Sequence, residues 1–347
     1  MIESTDLLNR LKIISSYSQS INASFFVVLS SSNEHSPGSY FGGIRRTKSF
    51  ISLSLVNISQ NELELIGSLI NAHCDYVVVD TEKKHPFFLD DTSVESSTCL
   101  YSNLLSSAYI IFPKDKIIPW SPSRITSESA LNTLRSLKNG DLSGSRITLI
   151  GPGSIGFKIA LGLVEEGASV HIFSRDIARS ASIVSAINCI KSKYTIASAI
   201  QATSLDSAFA SSSCVVLSAS ANNFILPKHL QFLPRGSSTI LDVGKNSLSS
   251  SALALLPRMQ QLNYFRLDIS RELVGFLSNY CLLDNYISPN LFGPKKCLSR
   301  FENYVHFVSG GFPGSAGDLV VDDANDPVFQ LGYISEKDEF VSDFKIF

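Results

Sequence analysis

The stretch Ile147-Thr148-Leu149-Ile150-Gly151-Pro152-Gly153-Ser154-Ile155-Gly156 fixes the reading of this chain. Four apolar or β-branched residues form a buried parallel strand, and the three glycines sit at the spacing of a turn that cradles a pyrophosphate. Ile155 to Glu166 follows with helical periodicity, Ile155, Ile159, Ala160, Leu163 and Val164 making one apolar stripe, and Gly167 ends it. In that setting Gly151 allows the tight turn, Gly153 lets the backbone approach phosphate, and Gly156 lets helix pack on strand. The N–H groups of Ser154 and Ile155 open a helix whose positive dipole end attracts an anion. A glycine-rich turn without a ligand is the plain alternative.

Working outward, Val170 to Phe173 is the next strand. NAD enzymes place Asp or Glu just after it, to hold the ribose 2′-hydroxyl. Here Ser174 and Arg175 stand there, with Arg179 one helical turn on. A small hydroxyl beside two guanidinium groups suits a 2′-phosphate, so the sequence favours NADP over NAD. Asp176 keeps NAD open, since a two-residue register slip would bring it to the ribose. Val215-Val216-Leu217 and Thr239 to Val243 are further strands. Such alternation predicts an α/β fold: a Rossmann doubly wound parallel sheet in the C-terminal half and a smaller α/β N-terminal domain.

The expected division is 1–122 for an N-terminal substrate and catalytic domain, 123–270 for the dinucleotide-binding domain, and 271–347 for a segment returning to the first. In the first part, 1–20 reads as a helix, 25–29 and 50–56 as strands, 30–43 as a loop and 60–72 as a helix. Residues 76–79 and 109–112 read as strands. Pro119-Trp120-Ser121-Pro122 reads as a break before a helix over about 127–138. In the last part, 318–322 and 328–334 flank turn formers at 323–327, predicting a β-hairpin that docks on the N-terminal domain. The glycine-rich stretch Ser309 to Gly317 is expected to border the cleft.

The 347 residues are 44% hydrophobic and 17% charged, with a net charge of −2. No basic block suggests nucleic acid or an anionic membrane, and no apolar run reaches the roughly 18 residues of a membrane span. Met1 to Lys12 lacks the pattern of a signal peptide. A cytoplasmic protein acting on a small molecule, as a homodimer, is expected. The six cysteines, Cys74, Cys99, Cys189, Cys214, Cys281 and Cys297, show no metal spacing and read as reduced thiols; no metal site is expected.

A wider set of motifs runs in a fixed order: Pro119-Trp120-Ser121-Pro122, Asp141-Leu142-Ser143-Gly144, Val215 to Ser220, and Ile240-Leu241-Asp242-Val243-Gly244, with an echo at Val308-Ser309-Gly310-Gly311. This order resembles the methylenetetrahydrofolate dehydrogenase/cyclohydrolase family, over roughly 110–250. Shikimate dehydrogenases and other amino-acid-dehydrogenase-like proteins share much of that architecture. The resemblance implies a nicotinamide dinucleotide touched by Ser218, Ala219, Val243 and Gly244 at the later strand ends, and a small folate-like or amino-acid-like substrate. The family's tyrosine-x-x-x-lysine is absent: Ile44 stands four residues after Tyr40.

Catalytic groups are sought at the carboxyl ends of the N-terminal strands. The polar run Asp80 to His85 follows the strand at 76–79, and Lys84 and Lys83, with Asp80 as partner, are the first candidates for acid–base work. A solvated surface turn is the competing reading. His85 precedes Pro86 and reads as structural, as do His73 and His171. A dinucleotide-binding sensor or assembly subunit without turnover is the alternative function.

Overall fold

The computed structural model describes residues 2–31, 38–82, 84–87, 100–234, 236–244, 246–286, 295–298, 304–309, 315–321 and 329–346. The chain divides into two units, Met1–Val274 and Gly275–Phe347.

The first unit begins with helix α1 (Ser4–Ser20) and strands β1 (Ser24–Ser31), β2 (Tyr40–Arg46) and β3 (Phe50–Ile58). Then come α2 (Gln60–His73), β4 (Tyr76–Asp80), the short ribbon strands β5 (Lys84–Phe87) and β6 (Leu100–Asn103), α3 (Leu104–Ile111) and β7 (Ile117–Trp120). The sheet order is β2-β3-β1-β4-β7, parallel throughout except for β2. Phe25, Val27 and Leu29 alternate onto the face covered by α1, α2 and α3, whose Leu7, Leu11, Leu63, Ile66 and Ala108 join the same core. Phe26 and Val28 are also buried, so β1 is covered on both sides, as its unbroken apolar run requires.

Several local expectations change. Residues 109–112 end a helix rather than form a strand. Asn103 Oδ1 accepts from the Ser106 amide at 3.0 Å and starts the turn, and Leu104 and Ala108, four apart, are buried, while Ile110 is 87% exposed. The apolar run that looks like a buried strand is the last turn of α3, with Ile111 pressed against Gly67 of α2. The expected break at 119–122 holds an edge strand instead. Pro119 pairs with Val79 on the outermost strand, where a missing N–H costs no ladder bond. Helix α4 (Pro122–Leu137) therefore starts five residues before the expected Ser127, with proline in its first turn. Residues 40–43 belong to β2, antiparallel to β3, not to a loop.

The second sheet of this unit uses β8 (Arg146–Ile150), β9 (Ser169–Phe173), β10 (Ala199–Gln201), β11 (Cys214–Leu217), β12 (Ser238–Asp242) and β13 (Leu262–Arg266). Its order is β10-β9-β8-β11-β12-β13, all parallel. Helices α5 (Ser154–Glu165), α6 (Ile177–Ile190), α7 (Leu205–Ala210), α8 (Pro227–Leu230) and α9 (Ser250–Leu253) follow in chain order, and α10 (Ser270–Tyr286) begins in this unit and ends in the second. Cys214 and Val216 face a core built with α4, α5 and α6; Val215 and Leu217 face one built with α7, α8 and α9. This is the doubly wound α/β arrangement, with the order reversing between β8 and β11. Strands β8, β9, β11 and β12 are those the sequence predicts; the short β10 and the polar β13 carry too little apolar pattern to be seen there.

The second unit holds a five-stranded sheet, β14 (Lys295–Leu298), β15 (Tyr304–Ser309), β16 (Leu319–Val321), β17 (Phe329–Ile334) and β18 (Phe340–Ile346), in that order. The expected pair β16–β17 is antiparallel. It is embedded between β15 and β18 rather than isolated, which supplies the wider sheet a lone hairpin lacks. The turn at 323–327 and residues 310–314 lie outside the described residues.

Candidate functional site

The turn after β8 is held by backbone geometry. Gly151 has φ +87°, and its amide donates to Phe173 O at 3.0 Å, tying the turn to the end of β9. A Cβ on Gly151 would lie 2.5 Å from Ala219 Cα and N, so both the left-handed backbone and the close approach of a neighbouring strand end require glycine. Ser218 Oγ donates to Gly151 O at 2.7 Å and closes the other side. A Cβ on Gly156 would meet Gly151 O and Ser218 Oγ, each at 2.5 Å, which sets how tightly α5 sits on the sheet. Ala219 O would likewise meet a Cβ on Gly244 at 2.5 Å. The ends of β8, β11 and β12 thus converge on Ala219.

Gly153 differs from these. No atom lies within 4 Å of the place its Cβ would take. That open space belongs to a cavity of about 620 Å³ lined by Gly151 to Ile155, Ser174, Arg175, Arg179 and Ser218 to Ala221, among others. Gly153 is also the N-cap of α5 and offers no capping side chain, leaving the first N–H groups of the helix for a ligand. The open cradle, the helix start and two exposed arginines fit the phosphates of a dinucleotide. Of the residues that the motif and the resemblance single out, Gly151, Gly153, Ser154, Ile155, Ser174, Arg175, Arg179, Ser218 and Ala219 line this one cavity. Gly156, Val243 and Gly244 do not line it; Gly156 packs behind it.

Asp176 has a structural task. Its Oδ1 accepts from the Arg179 amide at 2.9 Å, capping α6. The carboxylate that could bind a ribose hydroxyl is engaged at the helix start, while Arg175 and Arg179 are exposed at the cavity.

At the end of β4 the candidates separate. Asp80 is 1% exposed. Its Oδ2 accepts from Ser31 N at 3.0 Å and Ser31 Oγ at 2.6 Å, and its Oδ1 from Glu82 N at 2.8 Å. It ties the ends of β1 and β4 together. Lys84 opens the ribbon strand β5 rather than lying in a loop, its backbone paired with Asn103. Lys83 lies outside the described residues.

A cluster that the sequence does not announce lies beside them. Glu82 accepts hydrogen bonds from Ser121 Oγ, from Ser123 Oγ at 2.6 Å and from Ser123 N at 3.1 Å, at the start of α4. Lys158 of α5 donates to Ser123 Oγ and lies 3.9 Å from Glu82. Burial pushes the Glu82 carboxyl up, but the serine hydrogen bonds and the Lys158 charge outweigh it and hold the group below its ordinary range. The cluster clamps the N-terminal sheet to the dinucleotide helix. Its only trace in the sequence is that Lys158 falls one turn after Ser154; nothing in the spacing links it to Glu82.

Residues 133–242 match the family model for shikimate/quinate 5-dehydrogenase. That interval runs from within α4 to the end of β12, and over it the chain is similar to that family. No curated protein matches the chain. Among solved structures, glutamyl-tRNA reductase from Methanopyrus kandleri is similar at 16% identity over 46% of this chain and 39% of that one, with a TM-score of 0.36. D-mandelate dehydrogenase from Rhodotorula graminis is similar at 12% identity over 70% and 87%, with a TM-score of 0.34. A D-isomer specific 2-hydroxyacid dehydrogenase from Xanthobacter autotrophicus Py2 is similar at 18% identity over 46% of this chain and 58% of that one, with a TM-score of 0.31. The chain thus spans less than two thirds of the length of the first and third of these proteins.

Among the described residues, no group of three or more His, Cys, Asp or Glu is placed to hold a metal, and no helix is long and apolar enough to cross a membrane. Cys74 and Cys214 are buried free thiols, their pKa values pushed up by burial to about 12 and about 11, which leaves them protonated and unreactive.

Proposed function

We propose that this protein is a nicotinamide-dinucleotide-dependent dehydrogenase acting on a small metabolite, with NADP as the preferred cofactor. The observation that carries the reading is the cavity at the switch point of the parallel sheet, open at Gly153 and bordered by Arg175 and Arg179 while Asp176 is occupied as a helix cap. The α5 N-terminus and the turn at Gly151 to Gly153 would hold the pyrophosphate, and Ser174, Arg175 and Arg179 the 2′-phosphate. Ala219, Val243 and Gly244 would border the nicotinamide end. When bound, the cofactor supplies hydride transfer; the protein's part is to orient it and to hold a proton near the substrate. In this reading Lys84 or Lys83 handles that proton, and Asp80 positions the loop they leave from.

The motif order shared with methylenetetrahydrofolate dehydrogenase/cyclohydrolase supports a folate-like substrate, and the match to shikimate/quinate 5-dehydrogenase supports a small hydroxylated acid or amino-acid-like one. A homodimer in the cytoplasm belongs to the same reading. The test is a panel of hydroxy acids, keto acids, amino acids and reduced folates, with NADPH absorbance as readout. Turnover with one class, lowered in Lys84→Ala without loss of cofactor affinity, is the expected result. Tight cofactor binding with no turnover on any member would favour the sensor reading.

A further inference from the structure

A second cavity, of about 400 Å³, lies on the same domain between the loop after β11, the turn after β12 and the end of β13. We propose that it is a binding site for a small molecule bearing an oxyanion, a carboxylate or a phosphate, distinct from the dinucleotide cleft. This site stands independently of the dehydrogenase reading.

The polar lining carries the chemistry. Asn222, Asn223, Asn246, Ser250, Tyr264 and Arg266 contribute to the wall, and no acidic side chain does among the described residues. Arg266 is the only charged group of the described lining. One of its N–H groups donates to Asn246 Oδ1 at 3.2 Å, which orients the guanidinium; among the described residues its other donors meet no protein acceptor. A planar guanidinium held at one corner presents its remaining fork to a carboxylate or phosphate. The amides of Asn222 and Asn223 and the Ser250 hydroxyl likewise have no side-chain partner among the described residues, and they suit the hydroxyl or amide groups of a small polar ligand. Tyr264 donates to the buried Asp242 at 2.9 Å, which fixes the ring that walls the cavity.

The walls are fixed before any ligand arrives. Asn223 adopts φ +56°, a left-handed conformation that asparagine tolerates, and its amide donates to Asn246 O at 2.8 Å. Ile225 N donates to Ser247 O at 3.0 Å, so the two loops are laced together. Such preorganisation lowers the ordering cost of binding.

Topology separates this cavity from the substrate side. The N-terminal sheet meets the dinucleotide domain through Lys158 of α5 and through Ser270, which starts α10 and accepts from Arg45 at 2.9 Å. Helices α4 and α5 pack on one face of the parallel sheet, whereas the second cavity is walled by α9, which packs on the other. The two cavities share one loop: Ala221 and Phe224 line the dinucleotide cleft, and Asn222 and Asn223 line the second site.

The test is calorimetric titration of the full chain with inorganic phosphate and, separately, with succinate; the anion that binds more tightly identifies the ligand's headgroup. Binding should weaken about tenfold or more in Arg266→Ala, as expected when a charge-assisted contact is removed. It should persist in Arg175→Ala and Gly153→Val, which alter only the dinucleotide cleft. Asn246→Asp, which places a carboxylate against Arg266, should also abolish binding and answers the question should Arg266→Ala fold poorly. Equal affinity in wild type and Arg266→Ala, loss of all binding in Gly153→Val, or no saturable binding of either anion would each overturn the proposal. A failure of NADPH to bind would leave these outcomes unchanged and would count only against the dehydrogenase reading.

Discussion

Two strand ends in the first unit do comparable work by different means. At the end of β8 the turn is shaped by backbone: a left-handed glycine, a neighbouring Ala219 backbone within van der Waals reach, and an amide bound across to Phe173. At the end of β4 the loop is shaped by side chains. Asp80 gathers three donors from Ser31 and Glu82, and Glu82 gathers Ser121 and Ser123 at the start of α4 and Lys158 from α5. A backbone device has fixed spacing along the chain. A side-chain device is assembled from residues far apart in the chain, such as Glu82 and Lys158, and leaves no spacing behind.

The sharpest way to break this contrast is to substitute the glycines. Gly151→Ala forces a left-handed alanine, costing roughly 1–2 kcal/mol, and drives its Cβ into Ala219 at 2.5 Å. A total loss of about 3 kcal/mol or more is expected, read as a large fall in the denaturant midpoint. Gly153→Val, two residues away, meets open space. It should keep the midpoint near wild type while abolishing dinucleotide binding. If both variants unfold alike, the distinction between a structural and a ligand-facing glycine fails.

Asp80→Ala probes the other strand end. It strands the buried donors of Ser31, and a loss of about 2–3 kcal/mol in stability is expected. Turnover should fall with it, through displacement of the loop that leads to Lys84, with little change in cofactor affinity. Stability equal to wild type would show that the ends of β1 and β4 are held by something else.

The smallest effect concerns Glu82. Its folded-state pKa is depressed, so its contribution is complete above the ordinary value of 4.5 and is lost as pH falls through the folded value. The stability difference between wild type and Glu82→Gln should therefore be largest near neutrality and should shrink on acidification. A difference that does not change with pH would mean that the serine contacts, not the charge, hold the clamp.

The same contrast sets what the sequence reveals. The strand, glycines and helix at 147–165 are legible because the motif's parts are neighbours in the chain. Ser174, Arg175 and Arg179 are legible because they follow the next strand directly. Residues 109–112 mislead, because an Asn103 cap and an exposed Ile110 make a helix from residues that prefer strands. Strand β7 is hidden because Pro119 looks like a breaker, and only the position of that strand at the sheet edge makes proline harmless. The Glu82–Ser123–Lys158 cluster and the second cavity have no local signature, since each is made by tertiary contacts.

If the cavity beside Gly153 holds a dinucleotide and Arg175 and Arg179 select its 2′-phosphate, fluorescence titration of the full chain with NADPH and with NADH will separate the two cofactors. NADPH should bind more tightly, with Arg175→Ala weakening NADPH by about 1–3 kcal/mol and leaving NADH nearly unchanged. Equal affinities for the two cofactors, or an Arg175→Ala variant that binds NADPH as wild type does, would contradict that assignment.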